Sequence, residues 1–128
     1  MFEIRGEQVT TLMVVDDTAF MRDMVKGLAK ECGIEVVGEA ENGLQAVELY
    51  RQLKPDVVTM DITMPVMSGL EATKIIIDEF PTAKVIVITA LGQQKMVIQA
   101  LNNGAKDFLA KPFGLAQFQQ IFRQLEVT

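Results

Sequence analysis

Short apolar runs alternate five times with longer segments of helical period along the chain. The runs at 11–15, 34–40, 56–60, 84–89 and 106–110 have the length and β-branched content of strands. After the first run, Met21, Met24, Val25 and Leu28 recur at i, i+3, i+4 and i+7, so one helix face is apolar. Leu115, Phe118, Ile121, Phe122 and Leu125 repeat this pattern at the other end of the chain. Segments 43–50, 70–80 and 94–103 read as three further helices, and Pro55, Pro81 and Gly104 stand where helices stop. Such alternation predicts an α/β fold of βα units around a mostly parallel sheet.

Strand composition predicts an order. Interior parallel strands are covered on both faces and read as continuous apolar runs, whereas edge strands tolerate charge. LMVV, DVVTM and VIVIT are interior candidates, while IEVVGEA and KDFLA, which carry charges, belong at the edges. With right-handed crossovers this favours a doubly wound, five-stranded (βα)5 sheet of order 2-1-3-4-5. That order is already known from flavodoxin-like folds, so it is matched here and not discovered.

Composition narrows the function. A chain of 128 residues fits one domain, expected over residues 11–128 behind a short extension at 1–10. With 49% apolar and 23% charged residues, it reads as an ordered globular protein. No apolar run approaches the roughly 18 residues of a membrane span, and MFEIRGEQVT lacks the core of a secretory signal. A cytoplasmic monomer is expected. The lone Cys32 excludes an internal disulfide and reads as a packing residue. A formal charge of −5 argues against non-specific nucleic-acid binding. Histidine is absent, so any chemistry must rest on carboxylates, hydroxyls and lysine.

In an open α/β sheet the ligand crevice lies beyond the carboxyl ends of the strands, where the strand order reverses. Here that place lies between strand one, which runs into Asp16 and Asp17, and strand three, which runs into Asp61. At ~4 Å and an effective dielectric of ~20, each pair of ionised carboxylates costs roughly 4 kcal/mol before screening, so a cation is needed. An oxygen-only cluster at a mouth open to water suits Mg2+. Thr89 adds a hydroxyl at the end of strand four, and Lys111 an ammonium after strand five. Each element also has a plain reading: Asp16 and Asp17 could cap the first helix, Thr89 could be an ordinary strand residue and Lys111 a solvated one. An unpaired acid ending the buried run VVTM is harder to account for that way. Together, three carboxylates, Mg2+ and one lysine sum to zero charge, a site fit to receive a phosphoryl group.

The stretches VVDDTAFMR from Val14, MDITMPVMSG from Met60, VITALG from Val87 and GAKDFLAKPF from Gly104 resemble the receiver domains of two-component response regulators, most closely their single-domain chemotaxis members. The resemblance covers nearly the whole chain. It implies that Asp61 is the phosphoacceptor, attacking a phosphohistidine on a partner histidine kinase as a carboxylate nucleophile. Asp16, Asp17, Asp61 and the backbone carbonyl of Thr63 would hold Mg2+. Lys111 would pair with the phosphoryl oxygens, which the Thr89 hydroxyl and the Ala90 amide would reach after transfer. Pro112 matches a Lys-Pro pair whose peptide bond is typically cis in the family. Met64, Pro65 and Gly69 match the loop after the acceptor, and Ser68 stands where many relatives have Asp or Asn.

The same resemblance makes Thr89, Phe108 and Pro112 a switch, with Phe108 turning inward by burial alone since it lacks a tyrosine hydroxyl. The output face would be the fourth helix, fifth strand and fifth helix, with Gln94, Val97, Leu101 and Phe108 on it. Val97 and Leu101 read either as an exposed apolar docking pair or as ordinary core. Thr63 and Leu91, two residues beyond Asp61 and Thr89, occupy positions that influence dephosphorylation. The implied partners are a chemotaxis kinase, a flagellar motor switch protein and a phosphatase, and the implied role is a switch, not an enzyme acting on a separate substrate. A phosphorelay intermediate, passing its phosphoryl group to a histidine phosphotransfer protein, is the alternative. A phosphohydrolase of the haloacid dehalogenase type would want an acid at Thr63, and an FMN binder would be repelled by DDT in its first loop.

Overall fold

The computed structural model describes residues 9–127. The expected 1–10 extension therefore lies outside the described residues except for Val9 and Thr10, and Thr10 already joins the sheet, its carbonyl accepting from the Glu35 amide at 2.9 Å. Five strands, β1 (Thr11–Val15), β2 (Glu35–Ala40), β3 (Val57–Asp61), β4 (Val85–Thr89) and β5 (Asp107–Ala110), alternate with helices α1 (Ala19–Glu31), α2 (Gly43–Leu53), α3 (Gly69–Glu79), α4 (Gln94–Asn102) and α5 (Leu115–Val127). All strand pairs are parallel and the order is β2-β1-β3-β4-β5. The fold is the flavodoxin-like one that the edge-strand argument predicted.

Burial follows strand position. Every residue of β3 and β4 is buried, whereas β2 and β5 each keep exposed positions, as edge strands of a sheet wrapped by helices should. Successive side chains point to opposite faces. Leu12, Val14, Ile86 and Ile88 therefore pack with Val25 and Ala29 of α1 and Phe118, Ile121 and Phe122 of α5. Met13, Val15, Val58, Met60, Val85 and Val87 pack on the other face with α2, α3 and α4, through Ala46, Val47, Ala72, Ile76, Val97 and Ala100. Phe118 is fully buried, and burying such a side chain contributes on the order of 2–3 kcal/mol.

The ends of the elements place the loops that matter. Asp56, expected to open the third strand, lies outside it: its carboxylate accepts from the Thr11 amide at 2.9 Å and its amide donates to Thr11 Oγ1 at 2.9 Å, pinning the start of β3 to β1. Cys32 closes α1 and packs on the core, and burial pushes its thiol pKa up, consistent with a packing role. Ser68 caps α3, its Oγ accepting from the Glu71 amide at 3.2 Å, a role that Asp or Asn would fill equally well. Among the described residues, no helix is long and apolar enough to cross a membrane.

Candidate functional site

The three acids converge at the carboxyl ends of β1 and β3. One carboxylate oxygen from each of Asp16, Asp17 and Asp61 lies within 4.8 Å of the others. Asp16 and Asp61 are buried and Asp17 is exposed, so the cluster opens to solvent on one side. Lys111, in the loop after β5, reaches the two buried acids, its Nζ 3.6 Å from Asp61 Oδ1 and 3.8 Å from Asp16 Oδ2.

The capping alternative for the first acids is settled by Thr18. It is the N-cap of α1, its Oγ1 accepting from the Met21 amide at 3.3 Å. Asp16 serves that cap indirectly: its Oδ1 accepts from the Thr18 amide at 2.9 Å and from the Thr18 hydroxyl at 3.0 Å, which leaves Oδ2 facing Lys111. Arg22, one turn into α1, donates to the Asp16 carbonyl at 2.8 Å and to Glu39 Oε1 at 3.0 Å. Lys26 donates to the other Glu39 oxygen at 2.8 Å and holds the Glu39 carboxyl below its ordinary range. This network fixes the backbone at the end of β1, and with it the direction of both acids.

Electrostatics at Asp61 show what the cluster lacks. Its pKa is pushed up from 3.8 to about 6, first by burial and then by the Asp16 carboxylate, with Lys111 pulling against both. One ammonium does not balance three carboxylates. Hard oxygen donors, crowded and short of positive charge, fit a divalent cation such as Mg2+.

The loop after β3 turns tightly over this site. Gly69 donates its amide to the Ile62 carbonyl at 2.8 Å, and a Cβ built on Gly69 would lie 2.0 Å from the Asp61 carbonyl oxygen. Val66 has φ +70°, a conformation costly for a β-branched residue, at the centre of a turn closed by the Met67 amide on the Pro65 carbonyl at 2.7 Å. Nothing in the sequence pattern around Val66 signals this strain.

The remaining expected residues lie on β4, α4 and β5 and in the loops that follow the two strands. Thr89 ends β4 as a buried residue and Ala90 follows it, exposed. The Lys111–Pro112 peptide bond is cis. Phe108 is 41% exposed and lines, with Thr89, Leu91, Val97, Ile98 and Leu101, an apolar groove between α4 and β5 that ends at Lys111. The two readings of the α4 pair divide between its members, and Val97, expected on the partner surface, falls to the core. Val97 is buried among core residues, while Gln94 and Leu101 are exposed, because positions four apart on a helix differ by about 40° and the edge of the core falls between them. Ile98 and Met96, passed over in the sequence reading, are the other exposed apolar residues of α4.

Sequence reasoning also missed Gln93. Its Oε1 accepts from the Ala90 amide at 2.6 Å and lies 3.2 Å from the Thr89 hydroxyl, while its Nε2 donates to Thr63 Oγ1 at 2.8 Å. A glutamine in the polar stretch GQQK offers no periodic signal for such a contact.

A parallel sheet of this order, with three acids at the switch point and a lysine beside them, defines a doubly wound α/β domain with a charged site at its strand ends. The sequence matches the response regulator receiver domain over residues 12–123, and the chain belongs to that family. It is similar to the chemotaxis protein CheY of Thermotoga maritima, 58% identical over 80% of this chain and 85% of that one. It is 53% identical to CheY of Listeria monocytogenes, over 90% of this chain and 94% of that one. Among solved structures it resembles the CheX–CheY–BeF3–Mg2+ complex of Borrelia burgdorferi, with a TM-score of 0.90 and 31% identity over 96% of this chain and 94% of that one. The chain is thus a receiver domain related to chemotaxis response regulators.

Proposed function

We propose that the protein is a chemotaxis response regulator phosphorylated on Asp61, whose modified form presents the α4-β5-α5 face to a partner. The observation that carries this reading is the position of Asp61: a buried carboxylate at the end of β3, with Lys111 Nζ at 3.6 Å and two further acids beside it. An Asp61 oxygen attacks the phosphorus of a phosphohistidine on the kinase. The new O–P bond forms as the P–N bond breaks, and the imidazole leaves to be reprotonated from solvent. Asp16, Asp17, Asp61 and the Thr63 carbonyl would hold Mg2+, which when bound supplies positive charge to the transferring group. Lys111 supplies the fixed ammonium, and the Thr89 hydroxyl and Ala90 amide supply donors to the phosphoryl oxygens once transfer is complete.

The switch follows from the groove. Thr89 and Phe108 line it together, so drawing the Thr89 side chain toward a phosphoryl group opens room for the exposed Phe108 ring to turn in. Such a turn changes which apolar groups of α4 and β5 a partner meets, shifting an existing equilibrium. The relatedness to CheY proteins favours a chemotaxis output, with a histidine kinase upstream and the flagellar motor switch downstream, over a relay role. The site favours a switch acting on its own carboxylate over an enzyme acting on a separate substrate.

Intact mass after incubation with Mg2+ and acetyl phosphate tests the reading. The wild type should gain one phosphoryl group and Asp61→Asn none. Equal gain in both would place the acceptor elsewhere, and no gain in either would remove the function.

Signal lifetime gives a second expected result. Leu91 is 96% exposed and has no polar atom to orient a water at the acyl phosphate. Leu91→Glu should hasten loss of the phosphoryl group by a factor on the order of ten, below the factor of about a hundred that a full general base supplies. The decay of phosphorylated mass after removal of donor measures it, and equal half-lives would remove Leu91 from the account.

A further inference from the structure

We propose that Gln93 is a latch: its side-chain amide occupies the two donors that the phosphoryl group needs and surrenders them when that group arrives. The inference rests on the reading of Asp61 as phosphoacceptor. The Gln93 Oε1 takes the Ala90 amide at 2.6 Å and stands 3.2 Å from the Thr89 hydroxyl, so one neutral oxygen faces both groups assigned to the phosphoryl oxygens. The Thr89 hydroxyl is also 3.2 Å from the Ala90 carbonyl, so its single hydrogen is divided between two acceptors and is loosely held. The Ala90 amide, with its one short bond, is the donor the latch grips most firmly.

The other end of the same amide fixes the opposite loop. Gln93 Nε2 donates to Thr63 Oγ1 at 2.8 Å, so one side chain ties the loop after β3 to the loop after β4. Gln93 is also the N-cap residue of α4, yet its side chain makes no capping bond to that helix and turns back to the strand ends instead. A residue that could stabilise its own helix is committed to the site.

Glutamine suits a releasable latch. Its carbonyl is a neutral acceptor, and hydrogen bonds to an ionised acceptor are roughly twice as strong, so an arriving phosphoryl oxygen outcompetes it. Release then frees Thr63 and the entry to α4 at the same moment, next to the groove that holds Leu91, Ile98, Leu101 and Phe108. Gln93 is thus a positioning residue that couples the filling of the site to the start of the output helix.

The test compares wild type with Gln93→Met, which keeps length and bulk but loses both hydrogen-bonding functions, and with Gln93→Glu, which keeps the acceptor and adds charge. Two quantities are read on the full chain with Mg2+ present: BeF3− affinity by 19F NMR, and the Ala90 amide resonance with its solvent exchange by 1H–15N NMR before BeF3− is added. Gln93→Met should shift the Ala90 amide upfield, speed its exchange, and tighten BeF3− binding by about fivefold, the worth of one net hydrogen bond. Gln93→Glu should keep the Ala90 amide bonded and weaken BeF3− binding by repulsion. Unchanged or weakened BeF3− binding in Gln93→Met overturns the latch, whatever the amide does. If wild type neither binds BeF3− nor takes a phosphoryl group from acetyl phosphate at Asp61, the phosphoacceptor reading falls and the latch with it. Normal uptake by wild type with no difference in Gln93→Met sinks the latch alone.

Discussion

Gly69→Ala is expected to destabilise the domain by about 3–4 kcal/mol and to abolish phosphoryl uptake at Asp61. The added methyl would meet the Asp61 carbonyl oxygen at 2.0 Å, the Asp61 carbonyl carbon at 2.9 Å and Ile62 Cα at 3.0 Å. All three are backbone atoms, so no side chain can rotate aside. The loop must lift from the end of β3, which breaks the 2.8 Å bond from the Gly69 amide to the Ile62 carbonyl and moves the backbone that aims Asp61. Gly27→Ala provides the control for the same chemical change. Its Cβ would meet nothing within 4 Å, and in the interior of α1 it should stabilise by about 0.5–1 kcal/mol. Urea unfolding of the two variants reads the contrast. If Gly69→Ala unfolds within error of wild type, the loop is far more compliant than this contact implies.

That contact also marks where sequence reading stops. Asp61 was legible because an acid ending a fully buried, uncharged run has no cheap structural explanation, and the strand order was legible because charge in β2 and β5 is compatible only with the sheet edges. Both are consequences of burial, which composition reports directly. The side of α4 on which Val97 falls depends on helix rotation against the sheet, a tertiary quantity, and a 40° offset separates buried Val97 from exposed Leu101, a division the sequence left open. The left-handed backbone at Val66 was invisible because a β-branched residue announces the opposite. Gln93 was missed for a related reason: its partners Thr63 and Ala90 are brought together by two loops whose paths no periodicity encodes. What periodicity fixes here is the frame, and what the loops add is the placement of side chains around the strand ends.

Asp61→Asn is expected to stabilise the metal-free protein by about 2–3 kcal/mol at pH 7, the equivalent of the shift in the Asp61 pKa from 3.8 to about 6. The sign follows from proton binding. Between pH 4 and 6 the folded state holds the Asp61 proton more tightly than the unfolded chain, so wild-type stability falls as pH rises through this window and the penalty is complete above about pH 6. The Asn variant carries no such term. The two proteins should therefore differ little from this cause near pH 4 and diverge to the full difference by pH 7. Burial is the largest contributor and the Asp16 carboxylate the next, so the cost belongs to holding an ionised acid at the strand end, where the proposed phosphoacceptor sits. Mg2+ should shrink the advantage of the variant, since a cation bound with ionised Asp61 among its ligands stabilises the wild-type fold more than a site that has lost that carboxylate. Its apparent affinity should weaken below about pH 6 by up to tenfold per pH unit, as one proton competes for the same carboxylate. Urea unfolding from pH 4.5 to 8, with EDTA and with Mg2+, measures both effects. A variant no more stable than wild type at pH 7 in EDTA would mean that Lys111 already balances the cluster, and the need for a divalent cation at this site would lose its electrostatic basis.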